Sequence, residues 1–406
     1  MKLRIIRFLD IAVEYAIYGV VFFIPISISM IGIFAGIAVL CFLAKKILSP
    51  DFSSIKDNKV LFLLLLLFFI FMGLSLFNSG SLFAKSMNAL LIKWGRFPLL
   101  LWVIIDTFCD TKRIVKAAQV ILLSAVLVGL TVFSQKFFGF EFLRGRFIMS
   151  SAVSSIGPFK NQNSLAAYLT CVIPIVLSFS LWRWERITVK LSLFLIAGLL
   201  ILSSVWTNCR GGLLGLMAGL IFIILVTNYS RIKKAFWPLF LSSYLFFIPL
   251  IGLFLLIFQS ARGGNSSRLT LARGAWNMIK EHPLLGKGLG TFMDYCALYT
   301  NSFGTYYAHN CYLQIWAESG IFSLLSFILL MGYVFYRSIK VCLRIPRSLN
   351  SFILTGLNAG LMGYLAHAFF DIHLYSFQLS FLFWVVLGLT VALSSKLDSE
   401  AGLLDA

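Results

Sequence analysis

"VLFLLLLLFFIFMGLSLF", Val60 to Phe77, runs for 18 residues without a charge. As an α-helix rising about 1.5 Å per residue it reaches roughly 27 Å, close to the hydrocarbon thickness of a bilayer. The chain around it is of the same kind. Of its 406 residues, 60% are hydrophobic and only 12% charged, where a soluble domain is nearer half apolar and a quarter charged. The sequence therefore predicts an all-α, polytopic helical membrane protein built as one membrane domain over 1–406. Its first apolar segment is followed directly by others and reads as a retained span rather than a cleaved signal peptide.

Window length and composition place about twelve span cores, at 11–27, 29–44, 60–77, 92–109, 115–134, 164–181, 190–206, 211–228, 236–258, 317–336, 352–370 and 375–395. Lys93 and Arg96 make the fourth the weakest of them. With the N-terminus inside, the basic loops at 45–59, 110–116, 182–190, 229–235 and 337–347 fall on the cytoplasmic side. Together with both termini they hold 21 of the 34 basic residues. The net charge of +19 is thus mostly topogenic and gives no reason to expect nucleic-acid binding. The remaining 13 basic residues lie on the side where insertion disfavours positive charge, and an anionic ligand is the simplest reason for them.

Two outer segments are long, 135–163 and 259–316. The second is large enough to carry short helices of its own. "SSRLTLARGAWNMIKEHPLLGKGLG" predicts one from about Ser267 to Glu281, capped by Ser266 or Ser267 and stopped at His282-Pro283. Cys296 and Cys311, two of seven cysteines, both fall in this loop, which leaves a disulfide open in an oxidising compartment.

Four stretches carry candidate chemistry. "TNCRGGLLGLMAGL" (Thr207 to Leu220) puts Arg210 at the start of a span, followed by small residues that permit close contact with a helix or a ligand. A cation suits the N-terminal end of a helix dipole when an anion is bound between them. "IGPFKNQNSLAAYL" (Ile156 to Leu169) offers Lys160, Asn161 and Asn163 to phosphate or sugar hydroxyls, with Asn163 suited to capping the helix that follows. "LLGKGLG" carries Gly286, Gly288 and Gly290, a plain turn more readily than a phosphate cradle. In "AHNCYLQIWAESGIFSLL", His309 tops a helical face that continues into the membrane, and an imidazole there is able to take a proton from a hydroxyl. Asn310 stands beside it, and Glu318 reads as packing or pairing within the bundle. In "AHAFFDIHLYSF", His367 and Asp371 are i, i+4 partners with His373 just beyond. No HExxH, GxSxG or DxD-type carboxylate pair is present, so no metal and no cofactor is expected, and Arg and Lys are left to stabilise a leaving phosphate.

In this order, "GPFKNQNSLAAYL", "NCRGGLLGL", "SRLTLARGAWNMIKEHPLLGKGLGTF" and "AHNCYLQIWAESGIFSLL" resemble the O-antigen ligase family, within a superfamily that also holds O-antigen polymerases and bacterial protein O-oligosaccharyltransferases. The resemblance implies a metal-independent, inverting GT-C-type glycosyltransferase of the bacterial inner membrane. It would take a glycan from undecaprenyl pyrophosphate and pass it, on the periplasmic face, to a sugar hydroxyl of lipid A-core. By motif the essential residues fall on Arg210, Arg268 and His309, with Lys160, Asn161, Asn310, Arg273 and Asp371 as substrate-binding positions. A polymerase, whose acceptor is a second lipid-linked glycan, is the near alternative. A transporter of lipid-linked sugars is the distant one, since it needs a charged path through the bilayer.

Overall fold

The computed structural model describes residues 1–148, 154–233, 266–300 and 307–404. The chain is helical almost throughout. The main elements are α1 (Lys2–Phe23), α2 (Ile28–Leu48), α3 (Lys59–Leu74), α4 (Arg96–Thr107), α5 (Thr111–Phe138), α6 (Gln162–Ser180), α7 (Ile187–Trp206) and α8 (Arg210–Thr227). They continue with α9 (Ser266–Glu281), α10 (Phe292–Thr300), α11 (Cys311–Arg344), α12 (Leu349–His367) and α13 (Phe377–Leu404). Among the described residues, nine helical stretches are long and apolar enough to cross a membrane. The polytopic class holds. The count of twelve is not reached: the expected span at 236–258 lies outside the described residues, and α1 and α12 fall outside the nine. Both are full-length helices whose composition is diluted, α1 by Arg4, Arg7, Asp10 and Glu14 and α12 by Asn350, Ser351, Asn358 and His367.

Apolar side chains all round a helix require burial all round. α13 meets that condition, with Trp384, Phe383, Leu387 and Leu393 wholly enclosed. α6, α8 and α12 pack closely together, and glycine makes that possible. A methyl group on Gly215 would stand 2.6 Å from the Gly363 carbonyl oxygen, and one on Gly219 would stand 2.8 Å from that of Ala359. Gly363 in turn faces the carbonyls of Gly215 and Thr170, each 2.9 Å from where its Cβ would lie. The small residues after Arg210 thus serve helix contact. Gly215→Leu has no room for its side chain. It is expected to lower the thermal unfolding midpoint of the detergent-solubilised protein by several degrees, consistent with overpacking costs of about 1–3 kcal/mol.

The two ends of the bundle differ. At one, Lys45 pairs with Asp10 at 2.6 Å, Lys46 with Asp106 at 2.6 Å, and Arg113 with Glu14 at 3.0 Å. Arg337 reaches Asn58 and Arg347 reaches the Thr227 carbonyl there too. At the other end the Gln378 amide donates to the Ile24 carbonyl, Ser155 N–H to Trp206, Asn78 to Gly286, and Cys311 N–H to Ala368. Every residue proposed from sequence for the site belongs to this second end.

Two structures cover that end. The segment after α5 turns back through a two-stranded hairpin, Phe140–Glu141 with Arg146–Phe147. The wholly buried Glu141 carboxylate accepts from Arg146 Nε at 3.0 Å, and the same guanidinium donates to the Gly157 carbonyl at 3.1 Å. Arg146 therefore ties the hairpin to the turn before α6. Helix α9 starts within one residue of the sequence expectation and ends on Glu281, just before His282-Pro283. Its stripe of Leu271, Ala275, Met278 and Ile279 packs with Phe292 and Cys296 of α10 and Ala317 of α11. Cys296 and Cys311 are both buried free thiols, so the disulfide left open by the sequence is not formed.

Candidate active site

His309 occupies the turn into α11 with φ +51°, a left-handed conformation that a non-glycine residue holds only when its surroundings dictate it. They do so from both sides. The next residue, Asn310, caps α11 by accepting from Tyr312 N–H at 2.9 Å and Leu313 N–H at 3.0 Å. The preceding one, Ala308, donates its N–H to Gln314 Oε1 at 3.2 Å.

Nδ1 of His309 lies 3.4 Å from Asp371 Oδ1, an ion-pair separation without an aligned hydrogen bond. Nδ1 itself is buried, yet the side chain is 32% exposed, so the exposure falls on the rest of the ring, where Nε2 sits. Burial pushes the Asp371 carboxyl up. The adjoining His309 and the Ile372 N–H, which donates at 2.8 Å, outweigh it and hold the carboxyl well below the usual carboxylate range. Asp371 is therefore an anion beside the imidazole.

The sequence pairing of His367 with Asp371 does not occur. α12 ends at His367, so the i, i+4 geometry is lost, and Asp371 faces His309 instead. His367 Nε2 lies 3.6 Å from Cys209 Sγ, and its ring lies 4.8 Å from that of His373. His373 donates from Nε2 to the Tyr364 carbonyl at 2.9 Å, and burial pushes it down to about 4, so it is neutral near pH 7.

Arg210 is the first residue of α8 and is exposed. The helix start is pressed onto the segment holding Asp371: a methyl group on Gly211 would stand 2.6 Å from Phe370 and 3.2 Å from the His367 ring. Arg268 is half-buried on α9. Cys209, immediately before Arg210, registers both neighbours. Burial raises its thiol, Asp371 raises it further, and Arg268 lowers it. Asp371 and Arg268 thus both lie within electrostatic reach of Cys209, the chain neighbour of Arg210, and Asp371 faces His309. Among the described residues neither arginine forms an ion pair with a carboxylate.

The other candidates are less central. Asn161, rather than Asn163, caps α6, with Oδ1 accepting from Ser164 N–H at 2.8 Å. Lys160 is exposed beside it. Arg273 is exposed on α9, five residues and so about 140° around the helix from Arg268. The glycines of "LLGKGLG" are not a phosphate cradle. Gly286, Gly288 and Gly290 all have positive φ, and the turn wedges into a break in α11 at Gly320 (φ +80°, ψ +173°). Lys287 N–H donates to the Ala317 carbonyl and Gly288 N–H to that of Glu318, each at 2.9 Å.

Residues 195–328 match a protein-family model described as O-Antigen ligase. The matched segment contains Arg210, Arg268, His309 and Asn310; Lys160, Asn161 and Asp371 lie outside it. No curated protein matches this chain.

Proposed function

We propose that the chain, whose residues 195–328 match the O-antigen ligase family model, is a membrane glycosyltransferase of the ligase or polymerase type whose own residues carry the reaction as follows. The donor is a glycan on undecaprenyl pyrophosphate and the acceptor a sugar hydroxyl of lipid A-core, met on the periplasmic side of the inner membrane. That orientation is supported by the ends of the bundle: the clusters of Lys45, Lys46, Arg113, Arg337 and Arg347 all lie opposite the site, as cytoplasmic loops should.

Arg210 and Arg268 hold the diphosphate. Among the described residues neither has a carboxylate partner, and the N–H groups at the start of α8 add to the positive field. Lys160, Asn161, Arg273 and Asn310 extend polar contacts to the sugars and phosphates, Asn161 and Asn310 through amide N–H groups that capping does not use. His309 receives the proton of the acceptor hydroxyl on Nε2. The acceptor oxygen attacks C1 of the donor sugar as the C1–O bond to the diphosphate breaks, and the configuration at C1 inverts. Asp371 orients the ring through Nδ1 and neutralises the imidazolium that forms. The polyprenyl tail lies along the apolar helices in the bilayer.

The observation that carries this reading is the His309–Asp371 pair at 3.4 Å beside the helix start that bears Arg210. The test is reconstitution of the purified chain in lipid with a lipid-linked glycan and one acceptor at a time. Transfer to lipid A-core alone supports the ligase reading. Chain growth on a second lipid-linked glycan alone makes the protein a polymerase, and transfer to neither acceptor by folded, donor-binding protein overturns both.

A further inference from the structure

One buried carboxylate has no part in that mechanism. Glu318 lies on α11, 1% exposed, nine residues after His309 and immediately before the Ser319-Gly320 break. Its oxygens accept from Gly290 N–H at 2.9 Å and Phe292 N–H at 3.2 Å, and from Gln314 Nε2 at 3.2 Å. Gln314 is itself wholly buried, and its carbonyl oxygen accepts from Ala308 N–H.

These bonds form one continuous path. It begins at the backbone of the residue before His309, passes through Gln314 to Glu318, and ends at the N-terminus of α10 and the turn that closes α9. A carboxylate is the only side chain of this size that accepts from several donors with no donor of its own. It also suits the start of α10, where unpaired N–H groups carry positive potential. At its far end α9 carries Arg268, and its body packs against α10 and α11. The path therefore joins the imidazole to the helix that carries one of the cations.

We propose that Glu318, acting with Gln314, is a positioning residue that sets the place of Arg268 relative to His309. This rests on the transferase reading above. The pair touches neither phosphate nor sugar. It holds His309 in its left-handed turn from one side and fixes the α9–α10 turn from the other, so the two halves of the site move as one body. Glu318→Gln would present an amide N–H to one of two backbone donors, so one bond is replaced by a repulsive contact. Gln314→Leu would cut the path at its other end and leave the bonds from Glu318 to Gly290 and Phe292 in place.

The experiment uses the full chain in lipid nanodiscs and reads two quantities. Hydrogen–deuterium exchange reports backbone protection at 286–300 and 307–313, and steady-state transfer from the lipid-linked glycan reports kcat and KM. Glu318→Gln is expected to lose protection in both segments and to lower kcat at least tenfold, with donor KM changed less than threefold. Glu318→Asp, which keeps the charge, should recover part of both. Gln314→Leu should lose protection at 307–313 alone and lower kcat in the same direction.

Loss of protection at 286–300 with 307–313 unchanged in Glu318→Gln would overturn the coupling. A lowered melting temperature with kcat per folded molecule unchanged would reduce Glu318 to a purely structural role and overturn the proposal as well. Wild-type protein without transfer activity would remove the transferase reading, while the exchange measurement would still decide whether the two segments are coupled.

Discussion

Replacing His309 by Ala should leave the lipid-linked donor bound and lower turnover by about 10²–10⁴-fold, the range of a lost general base. The structure gives the reason for so selective an effect. His309 lies outside the helix it precedes, and Asn310 rather than His309 makes the capping bonds of α11. Removing the imidazole costs the fold little beyond the contact with Asp371. Asp371→Asn keeps the shape but removes the anion, so the imidazolium is left uncompensated, and a smaller loss of turnover in the same direction is expected. Donor binding measured with a labelled lipid-linked glycan, beside initial rates of transfer, separates these effects. A transporter of lipid-linked sugars would behave differently, since His309→Ala should leave its substrate movement intact.

The second large effect belongs to the arginines. Arg210→Ala and Arg268→Ala should each reduce kcat by about 10²–10³-fold, as expected when one preorganised donor to a developing anion is lost. Lysine should rescue poorly at either position. It supplies the charge as a single point, whereas guanidinium donates through a planar fork that matches two phosphate oxygens. Neither arginine is committed to an internal ion pair among the described residues, so the loss should fall on ligand binding and turnover more than on stability. Thermal unfolding of both variants in parallel with the rates checks this.

Much of the fold was legible because lipid imposes a simple demand. Helices that meet hydrocarbon must be long and apolar, and Val60–Phe77 declares itself. α1 and α12 show where that signal thins. α12 is buried along almost its entire length against other helices, so it tolerates Asn358 and Ser351, which hydrogen-bond internally at Leu354 and Ser348. Its own backbone and Ser338 of α11, rather than lipid, satisfy these polar groups, and hydropathy does not see such partners.

The candidate site was legible residue by residue and hidden pair by pair. Arg210 and His309 stand out because each is a polar group at the mouth of an apolar helix. The contact between His309 and Asp371 spans 62 positions of sequence and depends on α12 ending at His367. Spacing suggested His367 as the partner, and chain direction after the helix end decided otherwise. Asn161 and Asn163 were equally good caps by residue type, and only the actual start of α6 separates them. By sequence Glu318 reads as a bundle residue because it lies deep on the face of an apolar helix. Its signal was a carboxylate two positions before a glycine in a segment that otherwise demands hydrocarbon. The break at Gly320 is what lets a distant turn reach it.

In the proposed reaction two cations from different segments grip one diphosphate. A double-mutant cycle on binding of undecaprenyl pyrophosphate tests it directly, comparing wild type, Arg210→Ala, Arg268→Ala and the double variant in nanodiscs at fixed salt. Cations that share one ligand should be strongly non-additive, with a coupling of about 1 kcal/mol or more. Losses that simply add, or single variants that bind as tightly as wild type, would contradict a shared grip on the diphosphate.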